Sequence, residues 1–476
     1  MARKKKAPSQ PVEAPSFADF SDIDAAFDEA MQGAAQKAGP GLYFTSPHVV
    51  NVGIPLPAIC LRYLLKSTVF PIGRFSQLAG EEGAGKSMFL TEIIRWVLHR
   101  GGRGLLAENE YKEYPQLRNS IFWWDSSLID RLKVTQTTNV QEWQGAFTHA
   151  MTHVRKLMDQ HGKTFPFILA LDSLNGTLTQ DELLAIQTEG YASKSYPAGA
   201  QIITRYIRSL GHQFRGYPFL MVATNHLRQQ MPQPGVYSPG GPQWQSGGGK
   251  SAKYNETYEI WLKKIKDIKL RTHEGLRVHF KVHKSSFGPS RDEITAEVLW
   301  WNETPADGGP PLQRTLWDWD TATIEMILGF ANTDGKRTLY AELLDLLKLE
   351  NIDSSARKAT SRLIMGTKEK CEFRQIARQL EQTPQLRDEV HRMLDIRTDV
   401  ELQVNQDYGI YLQEAMQRTV QEQSAAMAQA QAAALQSPYR ETQTFVGATQ
   451  IEQPHDAAGQ PEISGATAPE ETDEVL

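Results

Sequence analysis

Residues 75–90 of the chain read Phe75-Ser-Gln-Leu-Ala-Gly-Glu-Glu-Gly-Ala-Gly-Lys-Ser-Met-Phe-Leu90. Within them, Gly80-x-x-x-x-Gly85-Lys86-Ser87 matches the phosphate-binding loop pattern in full. An apolar run precedes the pattern and a helical periodicity follows it, which is the strand, loop and helix context that the motif requires. The candidate nucleotide-binding residues are therefore Gly80, Glu81, Glu82, Gly83, Ala84, Gly85, Lys86 and Ser87.

The chemistry expected of this loop follows from its backbone and from two side chains. Glycines let backbone N–H groups curl around an anion, and the helix N-terminus adds a partial positive charge. We expect Lys86 to reach the outer phosphates, which makes it both a binding and a catalytic candidate, and Ser87 to bind Mg²⁺. The alternative is a chance glycine-rich turn.

The composition bounds the class of protein. The chain has 476 residues, of which 40% are hydrophobic, so we expect several domains, each with a hydrophobic core. A net charge of only −5 means that any nucleic-acid binding must use local patches. Two cysteines are too few for a disulfide scaffold and fit a reducing compartment. With no membrane span and no secretory signal evident, we expect a cytoplasmic location.

The N-terminal 41 residues are predicted to form two segments. Residues 1–16 start with a basic run and are expected to be a disordered tail, solvated or touching nucleic acid. Residues 17–41 contain a helical pattern in which Phe20, Ile23, Phe27 and Met31 recur three or four apart. Such an apolar face must dock on the same chain or on a neighbouring subunit, so this helix is a candidate oligomerisation element.

Residues 42–301 are predicted to form one α/β domain. Apolar strands near residues 105–107, 165–173 and 218–226 alternate with helices near 139–160 and 199–213, as in a parallel sheet covered on both faces. Residues 258–262, 277–282 and 294–300 alternate in polarity, which predicts an antiparallel extension of the same sheet.

The remainder of the chain is predicted to be simpler. Residues 302–314 are rich in Pro, Gly and Asp and are typical of a linker. Residues 315–436 are predicted to be a mostly helical C-terminal region, and 437–476 to be a disordered acidic tail.

Polar residues follow the apolar strands, where parallel sheets place their ligands. Asp172 is expected to bind Mg²⁺ through water, although a strand ending in Asp-Ser also caps helices. Glu108 is the candidate base that polarises the attacking water, with Glu110 in reserve; solvated loop acids are the alternative. Asn225 and His226 end the next strand, where they would either sense the γ-phosphate or serve a structural role.

Two loops are candidate sites for single-stranded nucleic acid. The first runs from Leu227 to about Tyr254 and combines cations, rings and glycines, so it suits phosphate neutralisation and base stacking unless it is only a lid over the nucleotide. The second covers residues 175–198. The candidate DNA-binding residues in or beside these loops are Lys194, Arg205, Arg228, Tyr237, Trp244, Lys250 and Lys253.

Two lysines lie at the end of the predicted strand formed by residues 277–282. Lys281 and Lys284 lie at a strand end and turn, where they would reach a phosphate held by an adjacent subunit as an arginine finger does. The alternative is that they are ordinary exposed lysines.

Together these motifs resemble the RecA/RadA recombinases, and phage recombinases of the UvsX type in particular, over about residues 40–300. The resemblance implies a RecA-like ATPase core with Glu108 as the catalytic base. It also implies that residues 219–226 couple ATP to the DNA-binding loop that ends near Lys250 and Lys253, and that Lys281 and Lys284 contact ATP in trans. His226 stands where the family has a glutamine, and Phe27-Asp-Glu-Ala30 matches the Phe-x-x-Ala polymerisation pattern of the RadA branch.

The resemblance predicts an ATP- and Mg²⁺-dependent recombinase. It would form homo-oligomeric filaments on single-stranded DNA and pair them with double-stranded DNA, in the bacterial nucleoid or a phage-infected host cytoplasm. A single-stranded-DNA-binding protein or mediator is an expected partner. A hexameric RecA-fold helicase and a nucleotide-gated mediator protein are the alternatives.

Overall fold

The computed structural model describes residues 52–110, 126–174, 178–189, 198–229, 244–246, 255–270, 273–287, 292–304, 312–361 and 370–402. The chain divides into two compact units, Met1–Glu422 and Gln423–Leu476, and all described residues belong to the first. The predicted N-terminal tail and helix and the acidic tail lie outside the described residues. None of the helices in the described ranges is both long and apolar enough to cross a membrane.

The described helices are α1 (Ile59–Leu65), α2 (Lys86–His99), α3 (Val140–His161), α4 (Gln180–Glu189), α5 (Ala198–Gln213), α6 (Trp319–Gly329), α7 (Arg337–Leu347), α8 (Phe373–Gln382) and α9 (Pro384–Met393). The strands are β1 (Val52–Pro55), β2 (Val69–Pro71), β3 (Phe75–Gly80), β4 (Arg103–Glu108), β5 (Leu132–Gln136), β6 (Phe167–Asp172), β7 (Phe219–Gln229), β8 (Trp244–Ser246), β9 (Glu256–Lys269), β10 (Glu274–Ser285), β11 (Glu293–Glu303), β12 (Leu312–Trp317), β13 (Leu349–Asp353), β14 (Lys358–Ser361), β15 (Cys371–Glu372) and β16 (Val400–Glu401).

One large sheet organises the fold. Its strand order is β12-β11-β10-β9-β3-β7-β6-β4-β5, and β8 pairs with β7 outside this path. The strands from β9 to β5 run parallel, whereas β9 to β12 form an antiparallel meander. The predicted fold class, an α/β core with a mainly parallel sheet and an antiparallel extension, is confirmed.

Apolar side chains cover both faces of this sheet, which is why the parallel strands read as continuous apolar runs. On one face Leu78, Ile168 and Val222 pack with α2 and with the C-terminal helices. On the other face Leu169 and Met221 pack with α3 and α5. Each fully buried side chain of this kind contributes about 1.5–3 kcal/mol, so burial on both faces stabilises the sheet.

The C-terminal region packs on the first of these faces. Ile324, Leu343 and Phe373 are buried in the same apolar cluster as α2. The described part contains α6 to α9, as the helical prediction expects, but also the small sheet β13-β14-β15. Strand β16 pairs in parallel with β1, with Val52 opposite Val400, so the last described strand contacts the first.

Three local predictions differ from the structure. In the predicted linker 302–314, the ends belong to β11 and β12, which pair from Val298–Trp317 to Glu303–Leu312. The apolar residues that flank the predicted linker, such as Val298 and Trp317, are buried, and the antiparallel pairing of β11 with β12 brings them into the core. The predicted loop 175–198 contains α4, and the loop expected to start at Leu227 begins instead as a continuation of β7, paired with β8.

The start of α4 carries a sequence signal for a helix. Thr179 and Glu182 form a reciprocal cap: the Thr179 hydroxyl accepts from the Glu182 amide at 3.1 Å, and Glu182 Oε2 accepts from the Thr179 amide at 2.7 Å. The spacing Thr-x-x-Glu is the pattern of such a cap. The helix was therefore predictable from these residues.

Candidate functional site

The phosphate-binding loop joins β3 to α2. Gly83 and Gly85 have φ of 70° and 88°, the left-handed region that glycine adopts without a steric penalty. A Cβ at Gly80 would lie 2.5 Å from the carbonyl oxygen of Leu262 on β9, so this position also requires glycine. Helix α2 begins at Lys86, and its N-terminus therefore points at the loop.

The side chain of Lys86 folds back over the loop. Its Nζ donates to the carbonyl oxygen of Gly80 at 3.1 Å and to that of Glu81 at 2.7 Å. The residue is buried, so its charge is held inside the loop instead of in bulk water. An ammonium has three donors, and phosphate oxygens lying in the same loop would be within its reach. Ser87 follows in the first turn of α2.

Two carboxylates meet at the ends of the neighbouring strands. Glu108 on β4 and Asp172 on β6 are Cα partners, and they are only 2% and 4% exposed. Asn109 links the two strand ends. Its backbone N–H donates to the Asp172 carbonyl at 3.0 Å, and its side-chain Oδ1 accepts from the backbone N–H of Ser173 at 2.7 Å. The Thr224 hydroxyl donates to Asp172 Oδ1. The peptide bond between Asp172 and Ser173 is cis.

The donor set suits magnesium bound together with phosphates. Within the described ranges, no group of three or more His, Cys, Asp or Glu side chains is placed to hold a metal ion by itself. Mg²⁺ prefers oxygen ligands and usually binds through one or two carboxylates plus substrate phosphates. Asp172 and the Ser87 hydroxyl fit that pattern, and a cation there would offset the cost of burying two adjacent carboxylates.

The end of β7 lies against the phosphate-binding loop. Asn225 pairs with Ala79 and His226 pairs with Gly80, the first residue of the loop. Asn225 is fully buried. His226 Nε2 lies 3.2 Å from Oε1 of Glu110, two residues beyond the candidate base. Glu108 Oε1 accepts from the backbone amide of Glu110 at 2.8 Å, so the two glutamates occupy different positions at this strand end.

Lys284 is not brought to the phosphate-binding loop of its own chain. It lies on β10 opposite Glu259, which itself pairs with Gln77 on β3, three residues before Gly80. That is about 10 Å along the strands and a further 10 Å across two strand spacings. Its Nζ donates to the Glu256 carbonyl at 3.1 Å, and Lys281 Nζ lies 3.5 Å from Glu293.

The predicted DNA-binding residues divide into three groups. Arg205 is exposed on α5. Arg228 and Trp244 lie in the β7–β8 hairpin, opposite Gln245 and Gln229 respectively. The others, Lys194, Tyr237, Lys250 and Lys253, lie outside the described residues.

Sequence reasoning missed a basic surface on β9. The strand was expected to end at Leu262, but it continues to Lys269, beyond the point where Leu262 pairs with Gly80. The added half is exposed and carries Lys263, Lys264, Lys266 and Lys269. Lys264 is paired with Asp267 at 2.8 Å. The run of lysines directly after an apolar strand was the available signal.

No protein-family model matches the chain. Among characterised proteins, protein RecA of Aquifex pyrophilus is 20% identical over 286 residues, covering 59% of this chain and 76% of that protein. Protein RecA of Aquifex aeolicus is 19% identical with the same coverage. Protein RecA of Fusobacterium nucleatum is 23% identical over 287 residues, covering 59% of this chain and 70% of that protein. These matches support a relationship between this chain and the RecA family.

Proposed function

We propose that the chain is a Mg²⁺-dependent, DNA-dependent ATPase that assembles as a filament on single-stranded DNA and promotes homologous pairing in recombination and repair. The observation that carries this proposal is the buried pair Glu108 and Asp172, in register beside a complete phosphate-binding loop. The similarity to RecA proteins is the reason for which we propose that ATP hydrolysis at this site is coupled to DNA.

ATP would bind with its phosphates inside the loop Gly80–Ser87. Lys86 holds the outer phosphates, and Ser87 and Asp172 hold Mg²⁺, which when bound neutralises phosphate charge. Glu108 accepts a proton from a water molecule whose oxygen bonds to the γ-phosphorus. The bond from that phosphorus to the bridging oxygen breaks, and ADP and phosphate are the products.

Lys284 would complete the site of an adjacent subunit. Its distance from the loop of its own chain excludes a direct role there in the described arrangement, whereas a head-to-tail neighbour can present it. A cation supplied in this way stabilises charge that develops in the transition state. Hydrolysis would then require assembly.

DNA would bind on the side of the sheet where the parallel strands end. Arg228 and Trp244 lie there in the β7–β8 hairpin, and the lysines of β9 extend past the same edge. We include Arg205, Lys194, Tyr237, Lys250 and Lys253 in this surface. Cations neutralise the phosphates and rings stack on unpaired bases, so the surface suits a single strand, with a duplex joining it during pairing.

Two measurements test this function. Hydrolysis of ATP by the full chain is compared with and without single-stranded DNA, using Lys86→Ala as the inactive control. Equal rates for the wild-type protein under both conditions would rule out the coupling. Electron microscopy with ATPγS and single-stranded DNA then shows the assembly: filaments support a recombinase, whereas closed rings without filaments favour a helicase.

A further inference from the structure

The carboxylate of Glu110 reaches across one strand to the ring of His226. The sheet order places β6 between β4 and β7, so the pair spans the end of β6, where Asp172 lies. The Nε2–Oε1 distance is 3.2 Å, and the His226 and Glu110 side chains are 34% and 23% exposed. A contact between half-buried groups on two strands restrains both strand ends.

This pair lies next to the position expected for the outer phosphates. His226 is the Cα partner of Gly80, whose carbonyl accepts from Lys86 Nζ. Glu110 follows Glu108 by two residues on the other side. A γ-phosphate held by Lys86 would therefore lie between the candidate base and the imidazole.

The chemistry of the contact creates a competition. An ionised carboxylate only accepts hydrogen bonds, so Nε2 of His226 must carry the hydrogen. One N–H points at one acceptor. A γ-phosphate oxygen is an equally good acceptor with more charge, and the same N–H can serve it only by leaving Glu110.

We propose that Glu110 is a positioning residue that holds His226 until the γ-phosphate of ATP takes over the same Nε2–H. This inference rests on the proposed function, because it assumes that ATP occupies the loop. ADP lacks the γ-phosphate and leaves the pair intact.

The test measures the affinities of the full-length protein for ATPγS and ADP. Removing Glu110 removes the competitor, so Glu110→Ala should raise the preference for ATPγS over ADP by about fivefold or more, the scale of an ordinary coupling between two ligands. Glu110→Gln, which keeps an acceptor oxygen, should fall between Glu110→Ala and the wild type. Glu342→Ala is the control, because it removes an exposed carboxylate of α7; its ratio should not change.

A second comparison separates this mechanism from simple charge repulsion between Glu110 and ATP. In a His226→Ala background, Glu110→Ala should no longer change the ratio, because the carboxylate acts through the imidazole. An undiminished effect in that background, or no effect in the wild-type background, overturns the proposal.

The proposed ATPase function and the role of Glu110 can be disproved separately. If the wild-type protein binds neither nucleotide, the proposed ATPase is wrong and the role of Glu110 falls with it. If both nucleotides bind and Glu110→Ala leaves their ratio unchanged, only the role of Glu110 is wrong. A loss of stability alone would weaken both affinities together and would likewise count against the proposal.

Discussion

Glu108 and Asp172 lie side by side as Cα partners at the carboxyl ends of two adjacent parallel strands, and both are buried. Neighbouring strands are about 4.8 Å apart, so one carboxylate can hold the metal while the other faces the water that attacks the γ-phosphate. We therefore propose different roles for the two acids, and each role has its own test.

Glu108→Gln should lower the rate of ATP hydrolysis by about a hundredfold or more, because the base that accepts the water proton is lost. ATP-dependent DNA binding should persist, since the amide fills the same space. The measurement is steady-state phosphate release, with filter binding to single-stranded DNA. Glu110→Gln is the matched control and should retain hydrolysis within a few-fold; the reverse ranking would move the base to Glu110.

Asp172→Asn should raise the Mg²⁺ concentration needed for half-maximal hydrolysis by about tenfold, because a neutral amide oxygen is a weaker magnesium ligand than a carboxylate. A magnesium titration of the hydrolysis rate measures this. Thr224→Val, which removes the hydroxyl that donates to Asp172, should shift the same midpoint less. An unchanged midpoint in Asp172→Asn would exclude this carboxylate from the metal site.

Lys284→Ala should abolish most hydrolysis, and mixing it with Lys86→Ala should restore part of it. Each Lys284→Ala subunit keeps an intact loop, and a Lys86→Ala neighbour still supplies Lys284. Random head-to-tail assembly of a one-to-one mixture should recover about a quarter of the wild-type rate. Lys156→Ala, at an exposed lysine on α3, should be fully active. Mixtures that stay inactive would show that Lys284 does not act in trans.

Replacing Lys263, Lys264, Lys266 and Lys269 with alanine should weaken binding to single-stranded DNA and flatten its salt dependence. Each lost phosphate contact lowers the slope of log K against log salt by about 0.7 on a single strand. Lys264 already pairs with Asp267, so we expect a total change of about 2. A Lys133, Lys156 and Lys163 alanine variant, altered at exposed lysines elsewhere, is the control. Equal salt slopes in both variants would exclude β9 from the DNA surface.

Stability should fall as the pH drops from about 6.5 to 4, in part through His391. Burial, followed by the positive charges of Arg62 and Arg387, lowers the pKa of His391 from 6.5 to about 4. In that range the unfolded chain binds a proton that the folded chain does not, so acid favours unfolding by up to about 3 kcal/mol. His391→Gln should make the melting temperature depend less on pH over this range. His161→Gln, at an exposed histidine, should leave the pH dependence unchanged. Parallel curves for all three proteins would contradict the assignment.

Local sequence was enough for the elements whose signals are short-range. The loop Gly80–Ser87 fixes its own backbone through glycines and a helix start, and the apolar runs that end in Glu108, Asp172 and Asn225 identify strands without reference to their partners. The capping residues Thr179 and Glu182 would have identified α4 in the same way. Such features depend on the chain within a few residues, so they can be read from it directly.

The tertiary structure decided which strand ends meet. Glu108 and Asp172 are 64 residues apart in the chain, and only the strand order β7-β6-β4 brings them together and lets Glu110 reach His226 across β6. The length of β9 is likewise set by its pairing with β10, because its second half is too polar to be recognised as a strand by itself. The sequence by itself predicted a nucleotide-binding loop and the residues that form it. Strand order and register, which arise from burial of both faces of the sheet at once, decided what surrounds it.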